Sequence, residues 1–133
     1  MDPVRDQEHD PEHHFYWDAA RSGRLEILRC QACGTWIHYP QPRCPGCLGT
    51  EVVPTRVSGR GTVASFTVTH FAPTPALADS LPITLVMVEL DDAPGVRIVT
   101  NLVDGPDRVR IGLPVDVTFE ERDGETVPQF RPA

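Results

Sequence analysis

Cys30-Gln-Ala-Cys33 and Cys44-Pro-Gly-Cys47 hold all four cysteines of the chain, and ten residues separate the two pairs. Cysteines two residues apart can turn both sulfurs toward one ion, and two such pairs close a tetrahedral shell. Gly34 follows the first pair and Gly46 lies inside the second, where a sharp turn is expected to need positive φ. Cys30, Cys33, Cys44 and Cys47 are therefore the expected ligands of one structural zinc ion. Iron competes for such a site, because soft sulfur ligands suit both ions. Two disulfides are the other use of four cysteines, but they do not require paired spacing. The absence of a signal-peptide pattern and the paired thiols fit a reducing cytoplasm, the expected location. A shell of four sulfurs leaves no open position for a substrate, so the motif predicts a fold and not a reaction.

Residues 24–50 form the expected metal unit. Leu25 to Arg29 reads as a strand entering the first knuckle and Thr35 to Tyr39 as the returning strand, with Trp36 and Tyr39 placed to pack beside the ion. Pro40, Pro42 and Pro45 hold an extended path into the second knuckle. A unit this small buries too little apolar surface to fold without its metal. Upstream, residues 1–23 read as an acidic leader and a helix. Asp10 is a capping residue, Pro11 suits the first helical position, and Gly23 ends the helix. That helix carries Phe15, Tyr16 and Trp17 in succession, which cannot all face one side at 3.6 residues per turn. Some of these rings are core and some are interface, and the residues alone leave that division open.

From residue 51 to 133 the pattern becomes short strands broken by glycine and proline. Val115, Val117 and Phe119 share one face of an alternating strand, and residues 62–71 alternate less strictly. Ile83 to Leu90 is nearly continuous apolar and is expected to be buried on both faces. Val96 to Val103 and Val127 to Phe130 complete five or six strands with no helical stretch, the pattern of a small closed barrel. The expected architecture is thus small β/irregular: an N-terminal helix, a rubredoxin-like zinc ribbon, then an OB-fold β-barrel.

Net charge is −7, and residues 1–18 hold six acids against Arg5 alone. The chain has no lysine, and from residue 51 onward twelve acids outnumber seven arginines. A single-stranded nucleic-acid-binding barrel needs a positive groove lined with stacking aromatics, so no nucleic-acid partner is expected. No apolar run approaches membrane-spanning length, and no membrane association is expected.

The order of motifs extends the reading. Phe15-Tyr16-Trp17, Gly23-Arg24-Leu25, Cys30-x-x-Cys33-Gly34, His38-Tyr39-Pro40 and Pro42-Arg43-Cys44-Pro45-x-Cys47 come first. Ser58-Gly59-Arg60-Gly61-Thr62-Val63, Ser65-Phe66-Thr67-Val68, Val88-Glu89-Leu90-Asp91, Thr100-Asn101-Leu102-Val103 and Ile111-Gly112-Leu113-Pro114-Val115 follow. Over about residues 12–131 the chain resembles the zinc-ribbon/OB-fold family first labelled a domain of unknown function. The resemblance implies an accessory partner of thiolase-fold acyl-CoA enzymes: acetoacetyl-CoA thiolases, hydroxymethylglutaryl-CoA synthases, and aldolases that cleave steroid side-chain CoA thioesters. The last is the version this chain looks most like. It also implies fusion to, or association with, enoyl-CoA hydratase subunits.

Chemistry by the chain itself is not expected, and no catalytic residue is assigned. All four thiols are committed to metal, so none is free to attack a thioester. His70 sits alone at a strand end, and Glu89 is expected to meet an arginine or solvent. Ser58-Gly59-Arg60-Gly61 lacks the strand–loop–helix setting of a phosphate site and reads as a turn. His14, Phe15, Trp17, Tyr39 and Pro40 are the expected partner-binding residues. Phe66, His70, Phe71, Leu77 and Leu81, on and around the long loop Ala72–Leu81, are expected near the acyl-CoA. A stand-alone acyl-CoA carrier is the alternative role.

Overall fold

A computed structural model describes residues 13–72, 74–122 and 124–133, with the side chain of Leu77 outside the description. Helix α1 (His14–Arg21) precedes strands β1 (Leu25–Cys30), β2 (Trp36–Ile37), β3 (Val52–Val57), β4 (Arg60–Thr69) and β5 (Ile83–Leu90). Strands β6 (Arg97–Asn101), β7 (Pro114–Arg122) and β8 (Glu125–Pro132) complete the fold. Pro75–Ser80 and Pro106–Arg108 are short 3-10 turns, so the β half is not free of helical backbone as the sequence reading had it.

The expected cap at Asp10 and the following Pro11 lie outside the described residues. At its other end α1 stops where the chain reverses: Gly23 takes φ 72°, its N–H donates to Ala20 O, and the Arg24 N–H donates to Ala19 O. Tyr16, Trp17, Ala19 and Ala20 form the buried face, spaced as one side of a helix requires. The two alanines let the helix lie close against β1 and β8.

Two sheets share the work. The smaller has the order β2-β1-β3, and β3 pairs with β1 along its length from Leu25↔Val57 to Cys30↔Val52. The strand that follows residue 51 therefore lies in the ribbon's sheet. Strand β1 is the seam of the molecule. Its Leu25 and Ile27 join the large core with Trp17, Val63, Val88 and Phe130, while Leu28 and Cys30 join a second cluster with Ile37 and Cys44. Phe15 is half-buried and packs against both clusters.

The larger sheet has the order β6-β5-β4-β7-β8 and is antiparallel throughout. A bulge between Val63 and Ser65 bends β4, as bulges do where a sheet must curl. The curl brings the edges together. Leu102 bridges Phe130 in parallel, the Val103 N–H donates to Phe130 O at 2.8 Å, and the Thr100 hydroxyl donates to Pro128 O at 2.9 Å. This is the OB-fold half, its edges tied by these short contacts and not by a continuous ladder. Along β5 only Thr84, Val86, Val88 and Leu90 are buried, and Ile83, Leu85, Met87 and Glu89 are half-buried. The expectation of burial on both faces fails: among the described residues α1 lies over β1 and β8, and the outer face of β5 is only half-buried. No helix among the described residues is long and apolar enough to cross a membrane.

Candidate metal centre

Both knuckles are built by the same backbone device. The Cys30 N–H donates to Thr35 O and the Gly34 N–H to Cys30 O; the Cys44 N–H donates to Gly49 O and the Leu48 N–H to Cys44 O, all at 2.9 Å. In each knuckle the residue four places after the first cysteine takes positive φ, 78° at Gly34 and 63° at Leu48. The sequence reading assigned that role in the second knuckle to Gly46. Gly46 instead supplies room, because a Cβ there would lie 3.3 Å from Thr35 Oγ1 and 3.6 Å from Cys44 Sγ. A leucine in the left-handed region costs about 1–2 kcal/mol. Leu48 is exposed and gives up little packing. Leu48→Gly is therefore expected to raise stability by up to about 1 kcal/mol, after the entropy that glycine forfeits. Thermal melts at fixed zinc check this.

The four Sγ atoms all lie within 4.8 Å of one another, with Cys30–Cys47 at 3.6 Å and Cys33–Cys44 at 3.5 Å. Zinc–sulfur bonds of about 2.3 Å in a tetrahedron set sulfurs about 3.8 Å apart, so the shell fits one zinc ion. The Gly46 N–H points to Cys44 Sγ at 3.3 Å and the Gly49 N–H to Cys47 Sγ at 3.4 Å. Hydrogen bonds from Thr35 hold the Cys33 thiol down at about 6, its hydroxyl lying 3.1 Å from the sulfur. The Cys44 thiol is also lowered, first by the Cys47 backbone N–H. The Gly49 N–H favours the Cys47 thiolate, but the Cys30 and Cys33 sulfurs oppose it and leave that thiol up at about 11. Sulfurs this close cannot all be anionic unaided, and a dication among them removes the conflict. When bound, zinc supplies folding energy and holds the two knuckles together. The Arg29 guanidinium lies 4.6 Å from the Trp36 ring centroid and donates from Nε to Gly34 O, bracing the first knuckle.

Where α1, the loop after β2, and strands β6 and β8 meet, they enclose a cavity of about 220 Å³. Tyr16 and Trp17 meet edge to face at 5.0 Å, and His38 stacks on Tyr39 at 4.5 Å. Burial pushes the Tyr16 phenol above its ordinary range. Burial, with His13 adding to it, lowers His38 to about 4, so its imidazole is neutral at pH 7. The folded value lies below the unfolded one, near 6.5, so the unfolded chain takes up the proton first. The His38 contribution is intact above about pH 6.5 and is lost as pH falls toward 4, with a limiting slope of about 1.4 kcal/mol per pH unit. His38→Gln is expected to flatten the stability–pH curve in that window, measured by denaturant titration against the parent chain.

The other candidate residues scatter. Trp17 and Pro40 are buried within the chain, Phe15 is half-buried, and His14 and Tyr39 are exposed. Phe66, His70 and Phe71 are exposed near the end of β4, Leu81 is half-buried, and Leu77 lies in the Pro75–Ser80 turn. Glu89 is half-exposed, 3.6 Å from Arg97 Nε, and Asp92 accepts the Ser58 N–H at 2.7 Å. The cavity walls from Ile98–Thr100 and Val127–Pro128 carried no local signal in the sequence.

Two family models cover this arrangement: the ChsH2 rubredoxin-like zinc ribbon domain matches residues 17–53, and the ChsH2 C-terminal OB-fold domain matches residues 54–120. The chain belongs to the ChsH2/DUF35 family. The zinc assignment follows, and the iron alternative recedes. A probable enoyl-CoA hydratase alpha subunit of Thermomonospora curvata is 43% identical over 90% of this chain and 37% of its own length. The 3-oxo-4,17-pregnadiene-20-carboxyl-CoA hydratase alpha subunit of Mycobacterium tuberculosis is 36% identical over 79% of the chain and 32% of its own length. This ChsH2/DUF35 chain thus spans about a third of those two relatives. A DUF35 domain-containing scaffold protein of Methanocaldococcus jannaschii is 34% identical over 74% of the chain and 70% of its own length. Among solved structures, a chain of the Ltp2-ChsH2(DUF35) aldolase superposes with a TM-score of 0.82 at 38% identity, covering 92% of this chain and 95% of that one.

Proposed function

We propose that this chain is a non-catalytic accessory subunit or domain of a thiolase-fold acyl-CoA enzyme, a retro-aldolase that cleaves a steroid side-chain CoA thioester. The observation that carries the reading is the sulfur shell: every cysteine is turned toward one metal position, which leaves no thiolate to attack a thioester. The superposition on a chain of the Ltp2-ChsH2(DUF35) aldolase over nearly its whole length supports the choice of partner. The hydratase names of two relatives support a second association, with an enoyl-CoA hydratase.

In this reading the ribbon, residues 24–50, fixes helix α1 relative to the barrel half. His14 and Tyr39 meet the aldolase subunit directly, Phe15, Trp17 and Pro40 support them from beneath, and zinc acts only as a staple. Phe66, His70, Phe71, Leu77 and Leu81 lie toward the acyl-CoA, which this chain contacts only through the complex. The test is cleavage of a steroid side-chain CoA thioester by the chain, by the Ltp2 subunit of that aldolase, and by both together. The reading predicts no turnover by the chain alone and strong stimulation of Ltp2 by the chain. Full activity of Ltp2 by itself, or thioester cleavage by the chain by itself, contradicts it.

A further inference from the structure

The cavity between α1 and the barrel edge has a chemistry that selects its occupant. Tyr16, Trp17, His38, Tyr39, Val99 and Pro128 are among its walls, and no aspartate, glutamate or arginine is among the described residues that line it. That is unusual in a chain with 23% charged residues. His13 and His38 are the basic side chains of the lining, and neither a carboxylate to meet a guanidinium nor an arginine to meet a carboxylate joins them, so an uncharged occupant fits best. The volume of about 220 Å³ falls below the ~300–1,000 Å³ of small-molecule sites and suits one large side chain.

The mouth is apolar as well. Tyr39 is 63% exposed and Val99 53% exposed. Val99 pairs with Met87 across the sheet, so the apolar surface continues onto the outer face of β5, where Leu85 and Ile83 are half-buried. Aromatic enrichment with depletion of charge marks the centre of a protein interface, and the strongest anchors sit in pockets there. The chain's first twelve residues, with five acids and one arginine, are the wrong chemistry for it.

We infer that this cavity is the anchor pocket for one uncharged, apolar side chain of the aldolase subunit, with Tyr39 and Val99 forming its lip. The inference rests on the accessory role proposed above and adds the place and chemistry of the contact.

The experiment measures binding of the full zinc-loaded chain to the Ltp2 subunit by titration calorimetry, with Val99→Arg, Tyr39→Ala and Ile111→Arg. Ile111 is exposed and outside the lining. Val99→Arg puts an unpaired charge at the mouth and is expected to weaken binding about thirtyfold or more. Tyr39→Ala is expected to weaken it about tenfold, and Ile111→Arg to leave it unchanged, with zinc content and melting temperature preserved in all three. Parent-like binding by both Val99→Arg and Tyr39→Ala overturns the anchor pocket and leaves the accessory role standing. No binding of the parent chain to Ltp2 overturns both. A dimer of the chain that Val99→Arg dissolves, with Ltp2 binding unaffected, assigns the pocket to a second copy and also overturns the inference.

Discussion

Cys44→Ser is expected to lose stoichiometric zinc and to destabilise the chain by at least about 4 kcal/mol, a fall in melting temperature of roughly 15 °C. Cys44 is fully buried and stands in the ribbon's small cluster with Leu28, Cys30 and Ile37, which has little else to hold it. The damage spreads because β1 serves two cores. Its far end carries Leu25 and Ile27 into the barrel, and β3 pairs with it residue by residue. Unfolding the knuckles therefore frees the strand on which α1 rests. Calorimetry of the variant and of chelator-treated parent chain should give the same lowered transition. A melt that ignores the chelator would mean that the ribbon folds without its ion.

Gly61→Ala is expected to cost about 3 kcal/mol. A Cβ at this position would lie 2.5 Å from Val88 Cγ1 and 2.6 Å from Glu89 O. The second of these is backbone in the paired strand β5, where Gly61 faces Leu90, so it cannot rotate away. The β4 and β5 strands must part at the middle of the sheet. Thr62→Ala, one residue on at an exposed position, is the comparison and is expected to stay within about 0.5 kcal/mol. Equal denaturation midpoints for the two variants would show that the strands are not this close.

The metal shell was legible in the sequence because its information is local. Two residues between cysteines fix where each sulfur points, and the four sulfurs converge. The strands were legible for the same reason: β5, β7 and β8 announce themselves by apolar period and by flanking turns. What was not legible depended on contacts between distant segments. Nothing local says that Val52–Val57 returns to pair with Leu25–Cys30 inside the ribbon's sheet. Continuous hydrophobicity in Ile83–Leu90 reports a wish for cover on both faces, and the fold meets it on one. The turn at Leu48 misled because glycine usually marks positive φ, and here the knuckle geometry imposes it on a leucine while Gly46 makes space for Thr35. Of the three helix rings whose division the sequence left open, Tyr16 and Trp17 are buried and Phe15 is half-buried, while Tyr39, read as packing beside the ion, is 63% exposed.

Whether one ion holds all four sulfurs is read most directly from thiol reactivity of the native chain alongside its zinc content. Cys33 and Cys47 are exposed, so a thiol reagent has a clear path to them. One zinc per chain, with no thiol modified over minutes and four modified once a chelator is added, is the predicted result. A thiol that reacts stoichiometrically while the zinc stays bound would contradict it, because the chain would then carry a free nucleophile of its own.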